Sequence, residues 1–329
     1  MIKIGKIIRQ YSEKFCEVRF KVIEVLVNNI NIGKTYTYII PSIGNHHVKF
    51  LLNIENCKSL KALFKNISYL NSIVFIDFDT RNILDMSYMF QGCTNLKSLN
   101  VSIFNTENVV DMLYMFLNCL SLTSIDVSNF NTENVINFGG MFNGCINLIS
   151  IDVSNFNTKN AINIGGMFLY CHKLASLNLS NFNTQQVLDM SGTFENCYSL
   201  TSLEISNFNT QNVNTMLNMF HNCYNLTYVN ISNFNTNNVM NMAGLFSNCF
   251  SLTSVDISNF NTQNTKYMDN MFSNCFLLTF IDFTSFSNNC SNMYNIFYGL
   301  KNCTIKLKRN LLKNIENQIH SGLTLDIID

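Results

Sequence analysis

The sequence predicts an α/β repeat solenoid, in which a parallel sheet lines one face and short helices cover the other. Three observations carry this prediction. A cysteine recurs every 26 residues from Cys93 to Cys275, a phenylalanine recurs with the same step from Phe90 to Phe272, and a leucine follows three residues after each cysteine. A fixed period in this range is typical of stacked units that each pack only on their neighbours.

Composition narrows the classes of function. Hydrophobic residues make up 47 % of the 329 residues, which is enough for a substantial core, whereas charged residues make up only 13 %. Lys plus Arg and Asp plus Glu both number 21, so the net charge is zero and there is no electrostatic footprint for nucleic acid. The basic residues of the N-terminus precede no apolar stretch, which argues against a signal peptide. By sequence the chain is cytoplasmic, exported by an unusual route, or a fragment of a longer one. We also expect no membrane span, because no apolar run reaches about 18 residues.

The N-terminal segment is predicted to be a small β cap. Residues 15–55 contain "CEVRFKVIEVLV", "KTYTYIIP" and "HHVKFLLNI", which are rich in β-branched and aromatic residues and are separated by "NNINIGK" and "SIGN". Such runs, bounded by Asn, Gly and Ser, indicate strands joined by turns. We therefore assign residues 1–59 to an N-terminal β cap.

The first half of each repeat predicts a short helix. Met86, Met89, Phe90 and Cys93 stand at i, i+3, i+4 and i+7, which is one face of a helix. The same spacing returns in the following units. We therefore expect a column of short helices behind the sheet.

The second half of each repeat predicts a strand and a turn. Leu99 and Val101 alternate with polar residues, as they do in a strand, and Phe104 closes the strand. The string "NTENV" then supplies turn residues, and the Asn column from Asn105 to Asn261 is expected to satisfy amides of its own turn and of neighbouring turns. Strand, turn and short helix in this order make up the leucine-rich-repeat plan. In one unit the predicted core residues are Phe116, Cys119, Leu122, Ile125, Val127 and Phe130.

The repeat decays towards both ends, as the caps of a stack require. The solenoid is predicted to span residues 60–308, with Ile305 and Leu307 in its last strand. Residues 309–329 are assigned to a C-terminal cap. There "NLLKNIENQIH" predicts a helix that stops near Gly322, and "LTLDIID" predicts a final strand.

The repeating unit resembles that of the BspA-like leucine-rich repeat family, whose 26-residue units also occur in surface lipoproteins. The resemblance covers about residues 60–308. The resemblance implies a solenoid that is displayed on a cell surface and binds host or partner proteins. The repeating unit is also similar to those of intracellular arrays in protists and large viruses. The matching residues of one unit are Met112, Met115, Phe116, Cys119, Leu122, Ile125, Asp126, Val127, Ser128, Phe130, Asn131, Thr132 and Val135.

The cysteine column is predicted to consist of free, buried thiols that fill space in the core. Helices pack with about 8–10 Å between their axes, which exceeds the separation that a disulfide tolerates. There is no Cys-x-x-Cys or His pair at metal-ligand spacing, and the histidines keep no constant relation to a cysteine. We therefore expect no metal, cofactor or cysteine nucleophile.

The outward face of the predicted strands is the main candidate for binding. One polar side chain per unit lies between the two inward ones, and five of these are carboxylates, whose neighbouring pairs repel each other by about 1 kcal/mol in water. Two aromatic residues replace serine on the same face and are candidate anchors. In the alternative interpretation, water alone solvates these carboxylates and no partner binds them. The candidate residues are Asp126, Asp152, Glu204, Asp256 and Asp282, with the aromatic pair Tyr228 and Phe280.

These features favour a non-catalytic scaffold that binds a protein partner on the strand face, acts as a monomer and does not bind nucleic acid. A hydrolase that uses the Asp/Glu column is one alternative. An enzyme needs carboxylates in unequal environments, whereas a repeat gives them nearly equal ones. A purely structural array without a ligand is the other alternative.

Overall fold

The chain forms a solenoid of about 11 turns with parallel strands and almost no helix. The structure is a computed structural model and describes residues 21–27, 30–31, 48–54, 56–75, 78–287, 289–290 and 292–329. Of the predicted N-terminal strands, two are present as β1 (Lys21–Val27) and β3 (Val48–Asn53), which pair antiparallel, and β2 (Ile30–Asn31) pairs with β1. The run "KTYTYIIP" and the start of the first run lie outside the described residues.

Two parallel ladders run along the solenoid. The first is the predicted strand column, in which Leu99 and Val101 point inward while Asn100 is exposed. The sequence did not indicate the second, a series of single parallel bridges from Ser59 to Asn292. In the first ladder the regular segments are β4 (Ser72–Ile73), β5 (Ser98–Leu99), β6 (Ser202–Glu204), β7 (Tyr228–Asn230) and β8 (Phe280–Asp282).

The predicted helices of the repeat are wrong, because these segments consist of successive tight turns. The Met89 N–H donates to Met86 O at 3.3 Å and the Cys93 N–H donates to Phe90 O at 3.1 Å, as in four-residue turns. Between them the Phe90 N–H donates to Met115 O of the next turn at 2.8 Å. The left-handed backbone of Tyr88 (φ 60°) and Gly92 (φ 71°) also interrupts any α-helix.

The residues predicted for the core are buried even though the helices are absent. The core's apolar positions all point inward, and the central phenylalanines from Phe64 to Phe272 form one continuous stack. Successive ring centroids in this stack are 5.3–6.1 Å apart. In the unit discussed above the buried residues are Phe116, Cys119, Leu122, Ile125, Val127 and Phe130.

The C-terminal end closes with two longer strands. The predicted strands are present as β9 (Cys303–Lys308) and β10 (Leu323–Ile328), and β9 lies between β8 and β10 in a parallel sheet. The single predicted helix is instead a short α1 (Leu312–Ile315) between the 3-10 turns Arg309–Leu311 and Glu316–Gln318. The predicted helix carries three asparagines, Asn310, Asn314 and Asn317, a residue type with low helix propensity. Among the described residues, none of the helices has the length and apolar character needed to cross a membrane.

Candidate functional site

The strand face carries the predicted polar column in register along the solenoid. Ser202 pairs with Tyr228 and Glu204 pairs with Asn230 between β6 and β7, and Asp282 of β8 pairs with Lys306 of β9. Asp126, Asp152, Glu204 and Asp256 are exposed, and Asp282 is half-buried. The structure therefore brings the predicted carboxylates onto one face, with Asn178 and Asn230 at the same position of the two intervening turns.

Each of these carboxylates also has a structural role that the sequence reasoning missed. Its oxygen accepts the backbone N–H of the residue two positions later, which is an Asx-type turn. Hydrogen bonds from Ser128 and Ser154 hold the pKa values of Asp126 and Asp152 below their usual range. The N–H···O distances are 2.9 Å at Asp126, 2.9 Å at Asp152, 3.2 Å at Glu204, 3.0 Å at Asp256 and 2.9 Å at Asp282.

Two pairs of carboxylates lie on successive turns, Asp126 with Asp152 and Asp256 with Asp282. In each pair the charge of one carboxylate opposes part of the lowering of the other's pKa, at Asp152 and at Asp256, so both pairs interact. Asp282 has a partner within the chain, because Lys306 Nζ lies 3.6 Å from its Oδ2. Burial raises the pKa of Asp282, but the bonds from Thr284 and the charge of Lys306 outweigh that effect and lower it.

The two aromatic candidates lie on this same face. Tyr228 and Phe280 are each 48 % exposed, and Ser254 occupies the equivalent position of the turn between them. With strands about 4.8 Å apart, the two rings are separated by about 10 Å along the solenoid. They make an aromatic pair over a column that is otherwise serine.

The cysteine column is free and buried. The distance between packed helices cannot be the reason why these cysteines form no disulfide, because there are no helices at this position. Each thiol instead donates to a carbonyl of the preceding turn, as Cys119 Sγ does to Phe90 O at 3.3 Å and Cys145 Sγ does to Phe116 O at 3.3 Å. Burial raises the pKa of Cys93, Cys145 and Cys197 to about 12. In the part of the chain that the structure describes, no group of three or more His, Cys, Asp or Glu residues could hold a metal ion.

We expect the eight thiols from Cys93 to Cys275 to resist alkylation in the folded chain. Thiolates are the reactive species, and these thiols are both protonated and inaccessible. Iodoacetamide treatment at mildly alkaline pH, followed by peptide mass mapping, checks this, with the urea-unfolded chain as the control. Modification of Cys145 at equal rates in the two states would contradict it.

A second candidate site on the turn-rich face was not found from the sequence. Glu195, His221 and Ser247 occupy the same position on three successive turns, beside a shallow depression lined also by Asn218 and Asp269. The three make no hydrogen bond to one another among the described residues, and His221 Nδ1 is buried without a partner. Activation of a nucleophile by an adjacent base works through such a bond, and the described residues offer none here.

Comparison with solved structures finds a leucine-rich repeat protein from Bacteroides ovatus. It is 16 % identical, with a TM-score of 0.34, and the match covers 82 % of this chain and 86 % of that chain. No curated protein matches this sequence. The family model described as "Mycoplasma protein of unknown function, DUF285" matches residues 58–176, 118–203, 146–228 and 189–310. Together these matches cover most of the solenoid, and the chain therefore belongs to the DUF285 family.

Proposed function

We propose that this protein is a non-catalytic scaffold, monomeric by itself, that binds a protein partner on the strand face of the solenoid. The observation that carries the proposal is the exposed pair Tyr228 and Phe280, which replaces serine in an otherwise small and polar column. Large aromatic side chains with an exposed apolar body are the residues that most often anchor protein interfaces.

The acidic column supports the proposal by giving the same face a negative charge. Asp126, Asp152 and Asp256 make no ion pair among the described residues, and their hydrogen-bonded turns hold them in fixed positions. Fixed surface charges steer an oppositely charged partner and set its orientation. We therefore expect a partner whose contact surface carries Lys or Arg around an apolar centre.

The pKa values of the acidic column weigh against a hydrolase. Acid–base catalysis by two carboxylates needs one with a raised pKa and one without. Hydrogen bonds lower the pKa of Asp126, Asp152, Glu204 and Asp256 alike, and Asp282 shifts in the same direction. The BspA-like resemblance extends the proposal to display on a cell surface, which protease treatment of intact cells would test.

The experiment is partner capture with the intact chain, followed by affinity measurements on the identified protein with matched variants. Tyr228→Ser with Phe280→Ser restores the serine of the column. Replacing Asp126, Asp152 and Asp256 by Asn keeps the turn bond, because Asn100 accepts the Ser102 N–H in the same way at 2.9 Å. We expect the aromatic double variant to weaken binding at least about tenfold, since interface anchors contribute about 2 kcal/mol or more.

Tyr294→Ser is the matched control, because Tyr294 is 66 % exposed on the turn-rich side of the repeat. It is expected to leave the affinity unchanged. Unchanged binding by both the aromatic and the acidic variants would sink the proposal for this face.

A further inference from the structure

An exposed aliphatic stripe runs along the solenoid beside the second ladder. One large aliphatic side chain projects from the same position in five successive turns, and each is 36–44 % exposed. We call this set the aliphatic stripe; it consists of Leu84, Val110, Ile136, Ile162 and Leu188. Isolated exposed apolar residues need no explanation, but a contiguous row of them marks an interaction site.

Backbone hydrogen bonds hold the stripe in register. The Val110 N–H donates to Leu84 O at 2.8 Å, the Ile136 N–H to Val110 O at 3.0 Å and the Ile162 N–H to Ile136 O at 2.8 Å. The Leu188 N–H continues the ladder to Ile162 O at 2.8 Å. The five side chains therefore stand side by side at strand spacing, over about 19 Å.

The fold itself does not require aliphatic residues at this position. The inward residues of these turns, such as Val109 and Val135, are the preceding ones in the chain and are fully buried. Later turns carry Asn214, Met240 and Lys266 at the stripe position and keep the same backbone bonds, at 2.8 Å each. Met240 is also exposed, but the polar Asn214 separates it from the stripe. Stacking therefore accepts polar residues at this position, and the unbroken apolar row from Leu84 to Leu188 goes beyond what core packing requires.

The flanks of the stripe carry more acidic than basic side chains. Asp85, Asp111 and Asp189 follow stripe residues directly, Glu107 lies on the other side, and none of the four makes an ion pair among the described residues. Of the basic residues, Arg81 is paired with Asp79, and Lys58 lies at the end of the stripe beside Leu84. Glu133 is neutralised by Lys159. Lys61 offsets part of the charge near Asp111. A second copy of the chain, stripe against stripe, would bring like charges together, and an anionic membrane would be repelled.

The distance between stripe residues of successive turns indicates the kind of partner. The rungs are about 4.8 Å apart, close to the 5.4 Å pitch of an α-helix lying along them. Side chains on one face of an extended strand recur only about every 6.6 Å, so they would fall out of register with the stripe residues within a few turns. We infer that the stripe binds an amphipathic α-helix of a partner protein, with an apolar face of about 13 residues flanked by Lys or Arg.

The test measures fluorescence anisotropy with a labelled amphipathic peptide of about 18 residues, whose leucines are spaced three and four apart between lysines. A second peptide carries glutamates in place of the lysines. We expect the lysine peptide to bind the intact chain, to gain helical circular dichroism on binding, and to bind at least about tenfold more tightly than the glutamate peptide.

Ile136→Asn with Ile162→Asn should weaken lysine-peptide binding at least about tenfold, and the Asn found naturally at Asn214 makes this change compatible with the ladder. Ile149→Asn is the control, because Ile149 is 56 % exposed but lies outside the stripe. Absence of binding, equal affinity for the two peptides, or equal affinity of the stripe variant and its parent overturns the inference. So does sedimentation that shows a dimer abolished by the stripe variant, since a second copy would then be the occupant.

Discussion

Phe142→Ala is expected to lower the free energy of unfolding by about 3–5 kcal/mol. Phe142 is fully buried and stacks between Phe116 and Phe168, with ring centroids 5.5 and 5.9 Å away. Backbone ladders fix the turns on both sides, so the neighbours cannot close the cavity. Urea unfolding followed by far-UV circular dichroism measures the loss.

Ile149→Ala is the control for this experiment, since its side chain is 56 % exposed and contributes little to the core. We expect that variant to change the unfolding free energy by no more than about 0.5 kcal/mol. A Phe142→Ala loss no larger than the control's would show that the phenylalanine stack adds nothing to the cohesion between turns.

Thr158→Val is expected to cost at least about 2 kcal/mol although it changes no volume. Thr158 is fully buried, and its hydroxyl bridges two turns: it donates to Asn183 O at 2.9 Å and accepts the Asn183 N–H at 2.8 Å. Valine leaves both backbone groups of Asn183 without their partner. Urea unfolding gives the energy, and hydrogen exchange at the Asn183 amide gives the location.

Thr158→Ser keeps the hydroxyl and is expected to retain protection of the Asn183 amide, with a small loss for the missing methyl group. If valine and serine destabilise equally, the hydroxyl bridge is not what joins the turns. The threonines from Thr80 to Thr236 donate to a carbonyl of the next turn in the same way, and Thr262 accepts the Ser287 N–H of its next turn, so the result bears on most of the solenoid.

The threonine column makes hydrogen bonds between turns that the sequence analysis had assigned to the Asn column. The Asn column was expected to serve both its own turn and its neighbours. In the structure Asn105 Oδ1 accepts only the Glu107 N–H of its own turn, at 3.0 Å, while Thr106 bonds to the next turn. Another asparagine, Asn129, donates to carbonyls of the preceding turn, for example to Phe104 O at 3.0 Å. Two asparagines of one motif therefore make different bonds, and the neighbouring threonine makes a third kind.

The two proposed surfaces differ in how they relate to the repeat. Tyr228 and Phe280 depart from a serine column, whereas the aliphatic stripe is an unbroken apolar row from Leu84 to Leu188 whose column turns polar at Asn214 and Lys266. In a repeat, the constant residues report what every turn needs in order to stack. The departures are therefore the more informative positions for function, and the variants above restore or borrow residues that the chain already uses elsewhere.

The sequence alone determined the period, the inward residues and the strand column. Burial at Met86, Met89, Phe90 and Cys93 follows from their spacing, and the structure confirms it. These features depend on the local sequence only, because the spacing of apolar residues along the chain sets which side chains can share one face.

Only the tertiary structure decided between helices and turns. Two consecutive four-residue turns point i, i+3, i+4 and i+7 inward as a helix does, so the apolar pattern cannot separate them. The choice depends on amides that bond to the next turn, such as the Phe90 N–H to Met115 O, a partner 25 residues away. An Asn or Gly precedes every repeat cysteine except Cys171, which follows Tyr170. Residues such as Asn118 (φ 58°) and Gly144 (φ 73°) were the local signal for left-handed turns. The exposed stripe likewise became visible only when stacking placed residues 26 apart side by side.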